Sequence, residues 1–430
     1  MEHRLMVLGS MDAFIELVKL AQSKGIYVIS CDGYEGGRAK AIADKAYYID
    51  VRDTASIAQV CIDEGVDGII TSFSDLLAEC MVDIADAAGL PCYAVPERFR
   101  YLREKPLMKE MFDECGIPTP TSLKLTKDTL ESGLAELGFP CVVKPANGYG
   151  SRGVYVLDSI EQAKERFDEI VSYSSFDYIL AEQYMDGYEF NMMNWMLDGE
   201  VCTLGLADRE KTQSVPLAVP HVSRNVYPSR LFDDVYDEAR AIVKKIADYV
   251  GITTGPISMQ FFYSERSGLR VCEAAGRLFG YEHELVTIAS GFSIEELLLD
   301  YVYDRDAMAR LLKGHSPRFG KCSAVLYFHG REGVVADVEA AVRAGEHEGV
   351  VDTLLFYEPG QAISHGVGAM PYVVRYYVEA ASYEELDRLT QRMFDEVKVF
   401  DGEGRDLLYP NAMMRYGKQP PVLGRAGGNA

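Results

Sequence analysis

A chain of 430 residues is too long for one compact core, so two to four domains are expected. Its 43 basic and 66 acidic residues leave a net charge of −23, which repels a polyanion and argues against a nucleic acid partner. No run reaches the length of a membrane span, no basic and then apolar leader precedes the opening RLMVLG, and the nine scattered cysteines never form CxxC, so a soluble, cytoplasmic protein with neither disulfide framework, zinc site nor membrane partner is expected.

The first hundred residues alternate strand and helix. RLMVLG, a helical run from Ala13 to Lys24, IYVISC, a short strand at Ala46 to Ile49, a helix near Thr54 to Glu64 and GIITS at 68–72 predict a parallel, doubly wound sheet. Asp32 after the second strand invites a dinucleotide reading, but the first turn is GSMDAF and only Gly9 of GxGxxG is present. A boundary follows near Lys105. Pro106 suits a first helical turn, Gly116 a left-handed cap, and Pro118 and Pro120 stop the helix.

Beyond it lie a strand from Thr121 to Leu125, a helix from Thr126 to about Leu137, and CVVKPANGYGSRGV at 141–154. There an apolar strand ends on Lys144 and runs into a loop with Gly148, Gly150, Ser151 and Gly153, whose backbone can approach and clamp phosphate oxygens while the lysine adds a point charge. A strand at Val154 to Leu157, a helix from Ser159 and DYILAEQY follow, then YEFNMMNWML and EVCTLGLAD joined by Asp198-Gly199, the pattern of a hairpin. LADREKTQSVPLAVPHVSRNVYPSR reads as a loop-rich, locally basic run with Arg209, Lys211, His221, Arg224 and Arg230. A helix from about Phe232 to Val250 precedes the strands GPISMQFFY and GLRVCEAAG, and LFGYEHELVTIASG places His283 near a helix start. From Arg318, KCSAVLYFH, MPYVVRYYVEA and a helix from Tyr383 predict a small α+β extension, and the proline- and glycine-rich 417–430 a disordered tail.

Taken in order, Lys105 before a helix ending in GIPTP, then CVVKPANGYGSRGV, ILAEQYMDGYEF, and GPISMQFF paired with LRVCEAAGR resemble the ATP-grasp superfamily. Over about three quarters of the chain the likeness is greatest to the branch with carbamoyl-phosphate synthase large-subunit halves, biotin carboxylase and amino-acid ligases. That resemblance implies an α/β and α+β multidomain chain: a Rossmann-like pre-ATP-grasp domain over 1–104, a two-lobed ATP-grasp domain over 105–316 and a C-terminal α+β extension over 317–416.

The resemblance also implies roles. Lys105 and Lys144 would reach the phosphates or base of ATP from two sides of a cleft, with Gly148, Gly150, Ser151 and Gly153 as the phosphate loop. Glu182 to Tyr184 would meet the adenine edge and Glu189 the ribose. Gln260 and Glu273 would hold Mg²⁺ (or Mn²⁺) through oxygen donors, and Arg277 would hold a phosphoryl or acyl-phosphate oxygen. Ala275 stands where the family has a metal-binding asparagine. Arg209, Lys211, His221, Arg224 and His283 are candidate substrate contacts. The expected activity is an ATP-dependent carboxylate–amine (or thiol) ligation through an acyl phosphate, with ADP and phosphate released, small-molecule carboxylate and amine substrates, and a homodimer as a common assembly. Phosphoribosylglycinamide synthetase-like, carbamoyl phosphate-forming and biotin-carboxylating activities are alternatives; a catalytically silent ATP-binding protein is another, motivated by Ala275.

Overall fold

A computed structural model describes residues 3–146, 153–212, 219–364 and 371–416. Strands β1 (Arg4–Leu8), β2 (Tyr27–Cys31), β3 (Lys45–Tyr47) and β4 (Gly68–Ile70) form an all-parallel sheet in the order β3-β2-β1-β4. All but the first residue of β1 and β2 are buried, the composition of a sheet covered on both faces. Asp32 at the end of this sheet accepts from Lys40 Nζ at 2.5 Å and Ser10 Oγ at 2.5 Å, so its carboxylate serves an internal ion pair. A helix over Asp75–Ala88 closes the unit; its N-cap is Ser74, whose Oγ accepts from the Leu77 N–H, and Gly89 ends it in the left-handed conformation.

The helix Lys105–Glu114 begins as expected, with Pro106 in its first turn and Gly116 at a φ of 60° beyond its end. Next comes a small antiparallel sheet of β5 (Ser122–Leu125), β6 (Cys141–Pro145), β7 (Tyr155–Leu157) and β8 (Ile179–Gln183), in the order β5-β8-β6-β7. Helices Leu130–Leu137 and Ile160–Ser172 cover it, and Leu125, Leu134, Cys141, Val143, Leu157, Phe167 and Ile170 make a core of its own. The first helix starts later than Thr126 because the Thr129 hydroxyl accepts from the Thr126 N–H, a local bond that competes with helix formation.

Residues 184–187 lead from β8 to the large sheet. Its strands are β9 (Tyr188–Leu197), β10 (Glu200–Thr212), β11 (His221–Tyr227), β12 (Gly255–Ser264), β13 (Gly268–Ala275), β14 (Cys322–His329), β16 (Val350–Leu355) and β18 (Tyr372–Ala380), in the order β13-β12-β9-β10-β11-β14-β18-β16. β15 (Gly333–Val334) and β17 (Ala362–Ile363) pair separately. The expected hairpin turn at Asp198-Gly199 has positive φ at both residues, as its type demands. At Gly187, φ is +142° and an added Cβ would lie 2.4 Å from the Tyr263 carbonyl oxygen, so this joint between sheets admits only glycine.

β9 is buried along its whole length. One of its faces carries Glu189 and Asn191 and then Met193 and Trp195, polar at one end and apolar at the other, the period-two consequence of strand geometry. The helix Phe232–Val250 buries Val235, Ala239, Ile242, Val243, Ile246 and Val250, a stripe of helical spacing in which each fully buried valine or isoleucine contributes roughly 1.5–3 kcal/mol. The parallel sheet and the large sheet share one core, running from Leu5 and Phe14 through Trp195 and Ile257 to Leu298. The strands β14, β18 and β16 of the expected C-terminal α+β extension continue the large sheet, while Phe328, Val373, Leu386 and Met393 form a further core. The segment 417–430 lies outside the described residues.

Candidate functional site

On β6, Lys144 ends an apolar run and turns its amine to Glu182 on β8, with Nζ to Oε2 at 2.6 Å. Burial would drive the proton from this lysine, but Glu182, with Cys272 and Glu273 beyond it, reverses the balance and raises its pKa. Glu182 is pushed up by burial and pulled further down by Lys144 and Lys109, so the carboxyl sits below its ordinary range. Lys109 approaches Glu182 at 3.4 Å. Sequence reading missed Lys109, although it lies one helical turn after Lys105 and that i,i+4 spacing could have pointed to it. Lys105 itself is lowered by burial and by Lys144, against the pull of Glu273 and Glu182. Lysines from the connecting helix and small sheet therefore share one electrostatic neighbourhood with Glu273 on the large sheet. Tyr184 is half-buried with Glu189 in its field. Of the glycine loop, Gly153 has a φ of +64° and its Cβ position is occupied at 2.6 Å by the Tyr173 ring; Gly148, Gly150 and Ser151 lie outside the described residues.

Across β13, β12 and β9, Glu273, Gln260 and Asn191 form one register row. Glu273 is exposed; Gln260 is buried and donates through Nε2 to Glu189. Asn191 donates to Glu282 at 2.7 Å, and its Oδ1 is buried with no hydrogen-bond partner. Sequence reading missed Asn191, which looks like one polar residue in an apolar strand. Ala275 pairs with Ser258 and is buried. Among the described residues no group of three or more histidine, cysteine or acidic side chains could hold a metal by itself.

Glu189 was expected to meet a ribose; here it is embedded in cations, with Arg209 Nε at 2.8 Å and Lys211 bonded to its second oxygen. The run expected to be loop-rich is largely strand, since β10 extends to Thr212 and pairs with β11. Strand alternation then separates its charges. Arg209 and Lys211 face Glu189, whereas Arg224, fully buried, pairs with Glu210 at 2.8 Å and Asp387 at 2.8 Å and with the Thr390 hydroxyl. Arg230 joins Asp387, and His221 bonds the Asn411 amide. Arg224 is a structural ion pair on the other side of the sheet, and not a substrate contact.

Arg277 follows β13 and forks onto Asp75 at 2.8 and 2.9 Å, a bidentate pair with the first residue of the helix Asp75–Ala88. Burial alone would raise Asp75; the Arg277 charge outweighs it and leaves the carboxyl below its ordinary range. Tyr93 donates to the Gly276 carbonyl at 2.7 Å and the Ser72 hydroxyl accepts from the Leu278 N–H at 3.3 Å, so the segment bearing Arg277 is stitched to the N-terminal unit. Glu282 is buried, accepting from Asn191 and from the Tyr227 hydroxyl at 3.0 Å. His283, expected to contact substrate, is only 2% exposed, stacked on Phe73 with centroids 4.0 Å apart and beside Glu284 and Glu295. Burial pushes it down to about 4.

Known proteins place these elements in context. A sequence model of the ATP-grasp domain matches residues 137–283, a stretch that holds Lys144 and ends at His283. The formate-dependent phosphoribosylglycinamide formyltransferase of Corynebacterium jeikeium is 25% identical over 264 residues, 58% of this chain and 62% of that protein; the match spans under two thirds of the relative's length. The L-amino acid ligase of Bacillus licheniformis superposes with a TM-score of 0.76 at 18% identity, covering 93% of this chain and 99% of that one. The biotin carboxylase domain of the Hydrogenobacter thermophilus 2-oxoglutarate carboxylase, a dimer solved with MgADP and bicarbonate, does so with a TM-score of 0.69 at 17% identity, over 95% and 91%. Residues 137–283 are thus an ATP-grasp domain, and the chain as a whole has the fold of the ATP-grasp ligases.

Proposed function

We propose that the protein is an ATP-dependent ligase that activates a carboxylate as an acyl phosphate and passes the acyl group to an amine, releasing ADP and phosphate. The observation that carries this reading is the convergence of Lys144, Lys105 and Glu182 with Glu273, basic and acidic groups that the connecting helix, the small sheet and the large sheet bring into one electrostatic neighbourhood. The attacking carboxylate oxygen forms a bond to the γ-phosphorus as the bond to the β-bridging oxygen breaks; the amine then attacks the acyl carbon, loses a proton and expels phosphate. The chain's part is to position and neutralise. Lys144 and Lys105 supply positive charge to the phosphates, Glu182 to Tyr184 line the base, and Arg277, its guanidinium plane fixed by Asp75, faces the transferred group. Arg209 and Lys211, anchored on Glu189, add charge toward the acceptor.

Mg²⁺ (or Mn²⁺) fits the donor set, since Glu273, Gln260 and the orphaned Oδ1 of Asn191 are hard oxygen donors in one row. When bound, the ion neutralises phosphate charge. Asn191 then offers an amide oxygen that Ala275 cannot.

Release of ADP with a panel of carboxylate and amine pairs tests the proposal. Some pair should drive ADP and phosphate release, and K144A should lower it at least about a hundredfold, as expected for removal of a preorganised charge. Release of AMP and pyrophosphate, or tight nucleotide binding with no transfer on any pair, would overturn it.

A further inference from the structure

Arg375 on β18 is 1% exposed and surrounded by aromatic rings: Tyr281 at 3.7 Å from its guanidinium carbon to the ring centroid, Tyr372 at 5.0 Å, Phe356 at 5.2 Å and Tyr327 at 5.3 Å. Its Nε and Nη1 are buried with no hydrogen-bond partner, and among the described residues no carboxylate lies within ion-pair distance of it; its polar neighbours are the Tyr377 hydroxyl and, farther off, the buried Glu284 carboxyl. Ring faces satisfy a cation's charge but not its N–H groups, which lie in the guanidinium plane and call for a planar acceptor. A buried cation with unmet donors is costly to keep unless something completes it.

Access and position both fit a ligand. Tyr281, Phe356 and Tyr372 are the exposed rim of the cage, 42%, 43% and 38% accessible, while the arginine lies at its floor. Tyr281 sits in the segment that carries Arg277 and holds a φ of +65°, a strained conformation for a residue with a side chain, kept where its ring covers Arg375. Arg375 is the register partner of Tyr327, whose hydroxyl accepts from Asn225; Asn225 in turn pairs with Arg209, which reaches Glu189. The cage thus continues the polar face that bears the nucleotide-side residues. A single guanidinium with no ion pair, with the Glu284 carboxyl also in its field, matches a monoanion at most, whereas a phosphate dianion would leave excess negative charge in the same buried surroundings.

We propose that Arg375 and the rim of Tyr281, Phe356 and Tyr372 form a pocket for a monoanionic carboxylate substrate with an aromatic or apolar body, the in-plane N–H groups taking the carboxylate and the rings its body. This rests on the ligase reading for its purpose, but its test does not need turnover. The full chain, without nucleotide, is titrated with phenylacetate, hexanoate, acetate and inorganic phosphate by ligand-observed NMR, and ATP affinity is measured in parallel. Phenylacetate should bind best. Arg375→Met should weaken it at least tenfold and leave ATP affinity and the melting temperature intact, because an apolar side chain of similar length replaces a buried cation that forms no ion pair and leaves two donors unmet. Phe356→Ala, at the open rim, should weaken phenylacetate severalfold and acetate hardly at all. Equal binding by Arg375→Met, preference for phosphate, or no binding of either large carboxylate would overturn the pocket. Failure of ADP release with carboxylate binding preserved would overturn the ligase reading alone.

Discussion

His283 illustrates how one residue's setting decides its chemistry. Burial against Phe73 pushes its pKa down to about 4, Glu295 opposing only in part. In the unfolded chain the imidazole titrates near its ordinary value of about 6.5. Between these values the unfolded state binds more protons at this site, so the contribution of His283 to folding stability is complete above about pH 6.5 and falls as pH drops toward 4, by up to about 3 kcal/mol. The opposite slope of the neighbouring Glu284, pushed up to about 7 by burial, is present in wild type and variant alike. H283Q removes that slope while losing the ring stacking equally at every pH. Urea unfolding of wild type and variant between pH 4 and 7 checks it: the stability difference should shrink steadily toward low pH, and parallel curves would reject the assignment.

At the scale of elements, strand alternation sorts charges that sequence proximity lumps together. Arg209 and Lys211 point to Glu189, and Arg224 to Glu210 and Asp387 behind the sheet. R224M should therefore cost about 3–5 kcal/mol, the penalty for leaving Glu210 buried without its partner. Nucleotide affinity of the folded fraction should not change; denaturant unfolding paired with calorimetric ATP titration measures both, and a large affinity loss at full stability would place Arg224 in the site after all. The same strands show what was legible. β1, β2, β9 and β12 read clearly because their apolar runs are bounded by turn residues, and the order of glycine loop, hinge and paired strands exposed the fold. β10 was cut short at Asp208 since its last residues alternate in charge and not in hydropathy. The helix over Asp75–Ala88, and with it the partner of Arg277, escaped notice, as did Arg375, which looks like a solvent-facing residue in YVVRYYVEA until Tyr281 is brought onto it from far along the chain.

Across the whole molecule, the small sheet has a core of its own, whereas the parallel and large sheets share one. The small sheet, joined to the rest through residues 115–121 and 184–187, is therefore expected to open as a cooperative unit without unpacking the shared core. Hydrogen exchange should show amides of β5 to β8 opening at lower free energy than those of β9 and β12, and ATP should slow the former preferentially. Uniform protection throughout would reject this division.

The shared core has a consequence for modularity. The N-terminal unit does more than cap the sheet: Asp75, Ser72 and Tyr93 fix the segment of Arg277. Grafting residues 105–316 onto a foreign N-terminal unit would carry the lysines and Glu273 along but leave Arg277 without its tether. Because the two sheets also share one core, such an exchange would have to rebuild that packing together with the Asp75 tether, so the N-terminal unit and the segment of Arg277 are expected to change together, in a lineage or in an engineer's hands.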